Sequence, residues 1–129
     1  MKTSYKFFFK DLAQSIADFY GVDVDLVTNK IKTRKMEVVR GRQMLTTLLK
    51  QHTDLSLKKI GRMLNNQDHS TVINTIKKCN DYYDVDIDYR NDYNKLNEVA
   101  KELKTTTLIH PVKLHFMYDS MNIQETFRI

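Results

Sequence analysis

Residues 56–72 read SLKKIGRMLNNQDHSTV, and this stretch decides the fold. Asp54 and Ser56 are polar start signals for a helix. Leu57, Ile60, Met63 and Leu64 follow at the i, i+3, i+7 spacing of one buried stripe. Asn65-Asn66-Gln67 is a short polar connection, and Asn accepts the left-handed backbone that a tight turn requires. Asp68 then caps a second helix, whose apolar positions are Val72, Ile73, Ile76 and Cys79. Two short helices joined by a tight polar turn are a helix-turn-helix.

The flanks fit an all-α bundle around that motif. Phe8, Phe9, Leu12, Ile16 and Tyr20, with Ala13 and Ala17 between them, are spaced for a helix over 7–20. Gly21 stops it, and Asp23 caps a short helix through Val24, Leu26, Val27 and Ile31. Thr33-Arg34-Lys35 lacks periodicity and reads as a basic loop. A long helix follows, from Met36 or Val38 to His52. The acidic stretch 82–103 is helical near its end, through Tyr89, Tyr93, Leu96, Val99, Ala100 and Leu103. Thr105-Thr106-Thr107 breaks that pattern. Residues 108–129 hold the chain's one proline, Pro111, and read equally as strand or helix. The expected organisation is a helical domain over 1–104 and a C-terminal extension over 105–129.

Composition narrows the function. With one cysteine, Cys79, the 129 residues cannot form an internal disulfide, and a reducing compartment is the simpler setting. No Cys/His cluster suggests a metal, and no apolar run is long enough to span a bilayer. The basic start with Phe7-Phe8-Phe9 ends too soon for a signal peptide. The expectation is a soluble cytoplasmic protein. His52, His69, His110 and His115 are dispersed, with no nucleophile–base signature around them, so no catalytic role is expected. Cys79, on the apolar side of its helix, reads as a small core residue.

Charge is distributed unevenly along the chain, whose net charge is +5. Ten bases between Lys30 and Arg62 face two acids, whereas seven acids between Asp81 and Leu103 face three bases. A concentrated basic segment suits a polyanion, though a solvated helix surface carries such an excess as well. The tip Asp68-His69-Ser70-Thr71 precedes the apolar face of its helix, so its side chains point away from the core. A carboxylate there can accept from cytosine N4, and a threonine methyl can meet a thymine methyl. The free N–H groups of the helix start suit a phosphate. Taken alone, the tetrapeptide reads more readily as an ordinary cap and first turn than as a base-reading tip.

Three blocks at fixed spacing extend the reading: Arg40-Gly41-Arg42-Gln43-Met44, Ser56-Leu57-Lys58-Lys59-Ile60-Gly61 and Asp68-His69-Ser70-Thr71-Val72. Together they resemble the C-terminal DNA-binding domain of the bacterial replication initiator DnaA, whose pattern reads R-P-R-Q, S-L-x-E-I-G and D-H-T-T-V. A looser likeness runs from Asp11 to Leu103. The resemblance implies a Trp-repressor-like helical bundle that binds double-stranded DNA at DnaA-box-like sites. It places Arg34 in a minor groove, Arg42 and Gln43 at DNA-contacting positions and Lys50 at a phosphate. Leu57 and Lys58 fall near the backbone, and Asp68, His69, Ser70 and Thr71 at the base-reading tip. The chain departs from the family pattern at several positions. Gly41 replaces a proline, which predicts a more mobile loop. Lys58 also replaces a proline, Asn65-Asn66 a Gly-Gly turn, and Ser70 a threonine; Glu37 adds an acid to the basic loop. The chain has no Walker A sequence G-x-x-x-x-G-K-[ST], so binding without ATP or another cofactor is expected. The resulting role is occupancy of sites on the nucleoid, regulating replication initiation or transcription. The alternative is a protein-interaction module, with residues 81–103 and the C-terminal extension meeting a partner.

Overall fold

A computed structural model describes residues 5–109, with side chains through Thr105. The described chain is helical throughout, with α1 at Lys6–Tyr20, α2 at Val24–Val27, α3 at Met36–His52, α4 at Leu57–Met63, α5 at His69–Val85 and α6 at Ile87–Ile109. The all-α helix-turn-helix architecture read from the sequence is the one observed.

The punctuation residues set the element ends. Gly21 takes a left-handed φ of 68°, which lets its N–H reach Asp18 O and that of Val22 reach Ala17 O. These two bonds satisfy carbonyls that the helix end would otherwise leave open. Asp23 accepts from the Asp25 N–H at 2.8 Å, Ser56 from the Lys59 N–H at 3.1 Å and Asp68 from the Ser70 N–H at 3.1 Å. Each cap answers one orphan donor of the helix it opens.

The bundle is built around α3, which touches all five other helices. Its buried Met44, Leu45, Leu48 and Leu49 meet Leu12 and Ile16 of α1, Ile60 of α4, Val72 of α5 and Leu96 of α6 in one cluster. Cys79 is buried in this cluster, and burial raises its thiol pKa, so it serves as a small apolar filler. Two polar pairs cross the interior between helices. Tyr89 donates its hydroxyl proton to Gln43 Oε1 at 2.8 Å, and His52 Nε2 pairs with Asn97 Oδ1 at 2.6 Å.

Several local expectations are corrected. Helix α5 continues through the acidic stretch to Val85, and Asp86 alone separates it from α6. Asp86 receives the Tyr89 N–H on Oδ1 while Arg40 reaches its Oδ2 at 3.3 Å, so one residue ends a helix, starts the next and pins both to α3. The threonine cluster does not stop α6, which runs on to Ile109. Thr105 instead returns its hydroxyl proton to Lys101 O at 3.1 Å, a bond a helical threonine makes without leaving the helix. Gly41 lies inside α3, not in a loop, with Ile16 and Val27 packed against it. Ile73, read as part of an apolar face, is 44% exposed, because only Val72 and Cys79 of α5 point fully inward. The extension's residues 110–129 lie outside the described residues.

Candidate nucleic-acid interface

The helix-turn-helix owes its shape to two asparagines and a glycine. Asn65 and Asn66 both take left-handed φ values, 61° and 58°, and reverse the chain in the space between α4 and α5. The Gln67 N–H then donates to Gly61 O at 2.8 Å. That approach leaves no room on Gly61, where an added Cβ would lie 2.2 Å from Gln67 O. Gly61 is therefore a packing requirement: only a residue without a side chain lets the turn fold back onto α4.

The same turn holds the basic loop between α2 and α3. Asn29, also left-handed at φ 71°, donates from Nδ2 to Leu64 O at 3.2 Å, and Asn65 Nδ2 donates to Asn29 O at 3.1 Å. Arg42 completes the attachment from α3. Its guanidinium donates from Nε to Leu26 O at 2.8 Å, from Nη2 to Ile31 O at 2.9 Å and from Nη1 to Thr33 O at 3.4 Å. Five donors in a rigid fork suit three converging carbonyls, where an ammonium would not.

Between the fixed loop and the turn lies an open concavity of about 660 Å³. Lys32, Thr33 and Arg34 line it on the loop side, and Asn65, Asn66 and Thr71 on the motif side. The structure thus brings Arg34 to the same recess as the first turn of α5. Asp68, His69, Ser70 and Thr71 are all exposed at that tip. The Ser70 N–H holds the Asp68 carboxyl below the usual carboxylate range, which keeps it an acceptor, and His69 Nδ1 stands 3.7 Å from its Oδ1.

The other candidate positions divide. Lys50 is exposed near the end of α3, its Nζ 3.5 Å from Leu55 O, and Lys58 is exposed in the first turn of α4. Both carry charge near the start of the motif. Leu57 is half-buried and packs on the core. Gln43 is not brought to the surface: it is 5% exposed and occupied by Tyr89. Arg42 spends its donors on the loop's own carbonyls, so it shapes the interface from behind. Reading the sequence missed Asn29 and the close approach at Gly61. The signal for Asn29 was the one used for Asn65-Asn66, an asparagine where the chain must turn left-handed.

A helix-turn-helix with an exposed polar tip and a basic loop locked beside it defines a DNA-binding module. The model of the family described as bacterial dnaA protein helix-turn-helix matches residues 9–79, and the chain belongs to that family. It is 39% identical over 71 residues to the chromosomal replication initiator protein DnaA of Bacteroides fragilis, an alignment covering 55% of this chain and 15% of that protein. It is 32% identical over 80 residues to the protein of the same name from Bacteroides thetaiotaomicron, covering 62% of this chain and 17% of that one. The chain therefore spans under a fifth of the length of these relatives.

Proposed function

We propose that this protein binds double-stranded DNA sequence-specifically, at sites like the boxes recognised by DnaA, without a nucleotide cofactor. The tip of α5 enters the major groove, where Asp68, His69, Ser70 and Thr71 face base edges. Arg34 reaches the adjacent minor groove, where a narrow A·T tract deepens the negative potential that draws arginine. Lys32, Lys35, Lys50 and Lys58 neutralise phosphates. The observation that carries this reading is the cross-bonding of Asn29, Leu64 and Asn65, which holds the Arg34 loop at a set position beside the reading tip. None of the 129 residues forms a Walker A sequence, so the reading stops at occupancy of a site. On the nucleoid, such occupancy competes with an initiator or regulates transcription.

The test is a titration of labelled duplex carrying a DnaA box against a scrambled duplex of the same composition. Tighter binding to the box duplex is expected. If about five phosphates are neutralised, log K falls with log salt at a slope of roughly −4 to −5. Equal affinity for both duplexes would end the claim of specificity.

A further inference from the structure

The most exposed large apolar side chains among the described residues flank the α5–α6 joint. Val85 is 80% exposed and Ile87 62%, with Tyr82 one turn back. Asp81, Asp84 and Asp88 surround them, exposed and in no ion pair among the described residues. The basic loop is the opposite case. Ile31 and Met36 are 51% and 59% exposed there, set among Lys30, Lys32, Arg34 and Lys35. Of these cations, Lys30 alone forms an ion pair among the described residues, with Asp25 at 4.0 Å. The same molecule thus carries an apolar pair flanked mainly by acids, with Arg40 held on Asp86 between them, and an apolar pair flanked mainly by bases, with Glu37 beside Met36; among the described residues no ion pair joins 81–88 to 30–36.

We propose that the acidic Val85–Ile87 corner of one copy docks the basic 30–36 loop of a second copy. Each surface supplies what the other lacks, in charge and in apolar cover. The two patches differ, so the contact is heterologous and runs head to tail. Two apolar side chains on each side place it among small, transient interfaces. A loop covered in this way is withdrawn from duplex, so self-association and DNA binding compete; this last consequence rests on the proposed function.

Sedimentation velocity of the full chain without DNA tests the docking. At low ionic strength the mean sedimentation coefficient is expected to rise with protein concentration. At about 1 M salt, where the Debye length is roughly 3 Å, the rise is lost. The paired substitution Val85→Ser with Ile87→Ser keeps every charge and should abolish the rise, as should Lys32→Glu with Lys35→Glu. All four positions are exposed, and unchanged circular dichroism verifies the fold. A coefficient independent of concentration at low salt, or a rise that survives the serine pair, would overturn the proposal. The DNA-free arm stands whether or not the protein recognises a box. A box duplex that binds and leaves the assembly intact would overturn the competition.

Discussion

Asn65 and Asn29 are held by mutual attachment across 36 residues of chain: Asn65 Nδ2 donates to the Asn29 carbonyl, while Asn29 Nδ2 donates to the carbonyl of Leu64 beside Asn65. Asn29 is buried and both residues are left-handed. Asn29→Ala would leave Leu64 O without this partner and put an alanine at positive φ. A loss of roughly 1–3 kcal/mol of stability is expected, measured by denaturant unfolding. Asn65→Ala removes the more exposed half of the link. Its main effect should be a weaker preference for a box duplex over a scrambled one, with a smaller change in stability.

Gly61 gives a sharper outcome. A Cβ at this position meets the backbone oxygen of Gln67, which cannot rotate away as a side chain would. Gly61→Ala should therefore displace the turn, lower Tm by several degrees and remove duplex binding. Gly41→Ala is the control. Its Cβ would stand 3.2 Å from the Ile16 side chain, and alanine gains about 1 kcal/mol of helix propensity over glycine. That variant should stay folded and bind duplex.

Arg34 and Arg42 are two arginines near one recess with separable effects. Arg34→Ala should leave Tm unchanged and cost roughly 1–3 kcal/mol of discrimination, as the loss of a good groove contact does. Arg42→Ala frees three backbone carbonyls of the loop and its flank, so Tm should fall together with duplex affinity. Arg42→Lys should resemble Arg42→Ala more than wild type, because one ammonium cannot serve three separated acceptors. Calorimetry paired with duplex titration separates the two positions.

The capping carboxylate of α5 predicts an acid response. The Ser70 N–H lowers the folded-state pKa of Asp68 below its ordinary value of 3.8. The stabilisation that results is present above that ordinary value and is lost as pH falls through the lowered one. Asp68→Asn keeps an acceptor for the cap but has no charge to titrate. The stability advantage of wild type over this variant should therefore hold from pH 7 to about pH 5 and shrink below about pH 4, read from paired urea midpoints.

Much of this arrangement was legible in the residues themselves. Helix starts at Asp23, Ser56 and Asp68 and the stop at Gly21 were readable because caps act within a few residues of their own position. The exposed tip was readable because Val72 marks where the buried face of α5 begins. Other features depend on contacts distant in sequence. The resemblance puts Gln43 at a DNA-contacting position, and neither its type nor its spacing reveals that Tyr89, 46 residues later, claims its oxygen. The resemblance puts Arg42 at the duplex as well, yet its partners are loop carbonyls that only the folded α2–α3 connection brings into reach. The joint at Asp86 was missed because a lone aspartate among other acids gives no local sign that it serves two helices and Arg40 together.

That joint also constrains chain length. With one residue between α5 and α6, no slack separates the reading helix from the helix that carries Tyr89, Leu96 and Leu103 into the core. Adding or deleting a residue there would turn one helix by about 100° relative to the other. Either the tip of α5 would swing away from the basic loop or three large side chains would leave the interior. Insertions and deletions should therefore be rejected at 86, where the corner leaves no spare residue to absorb the change of phase between α5 and α6.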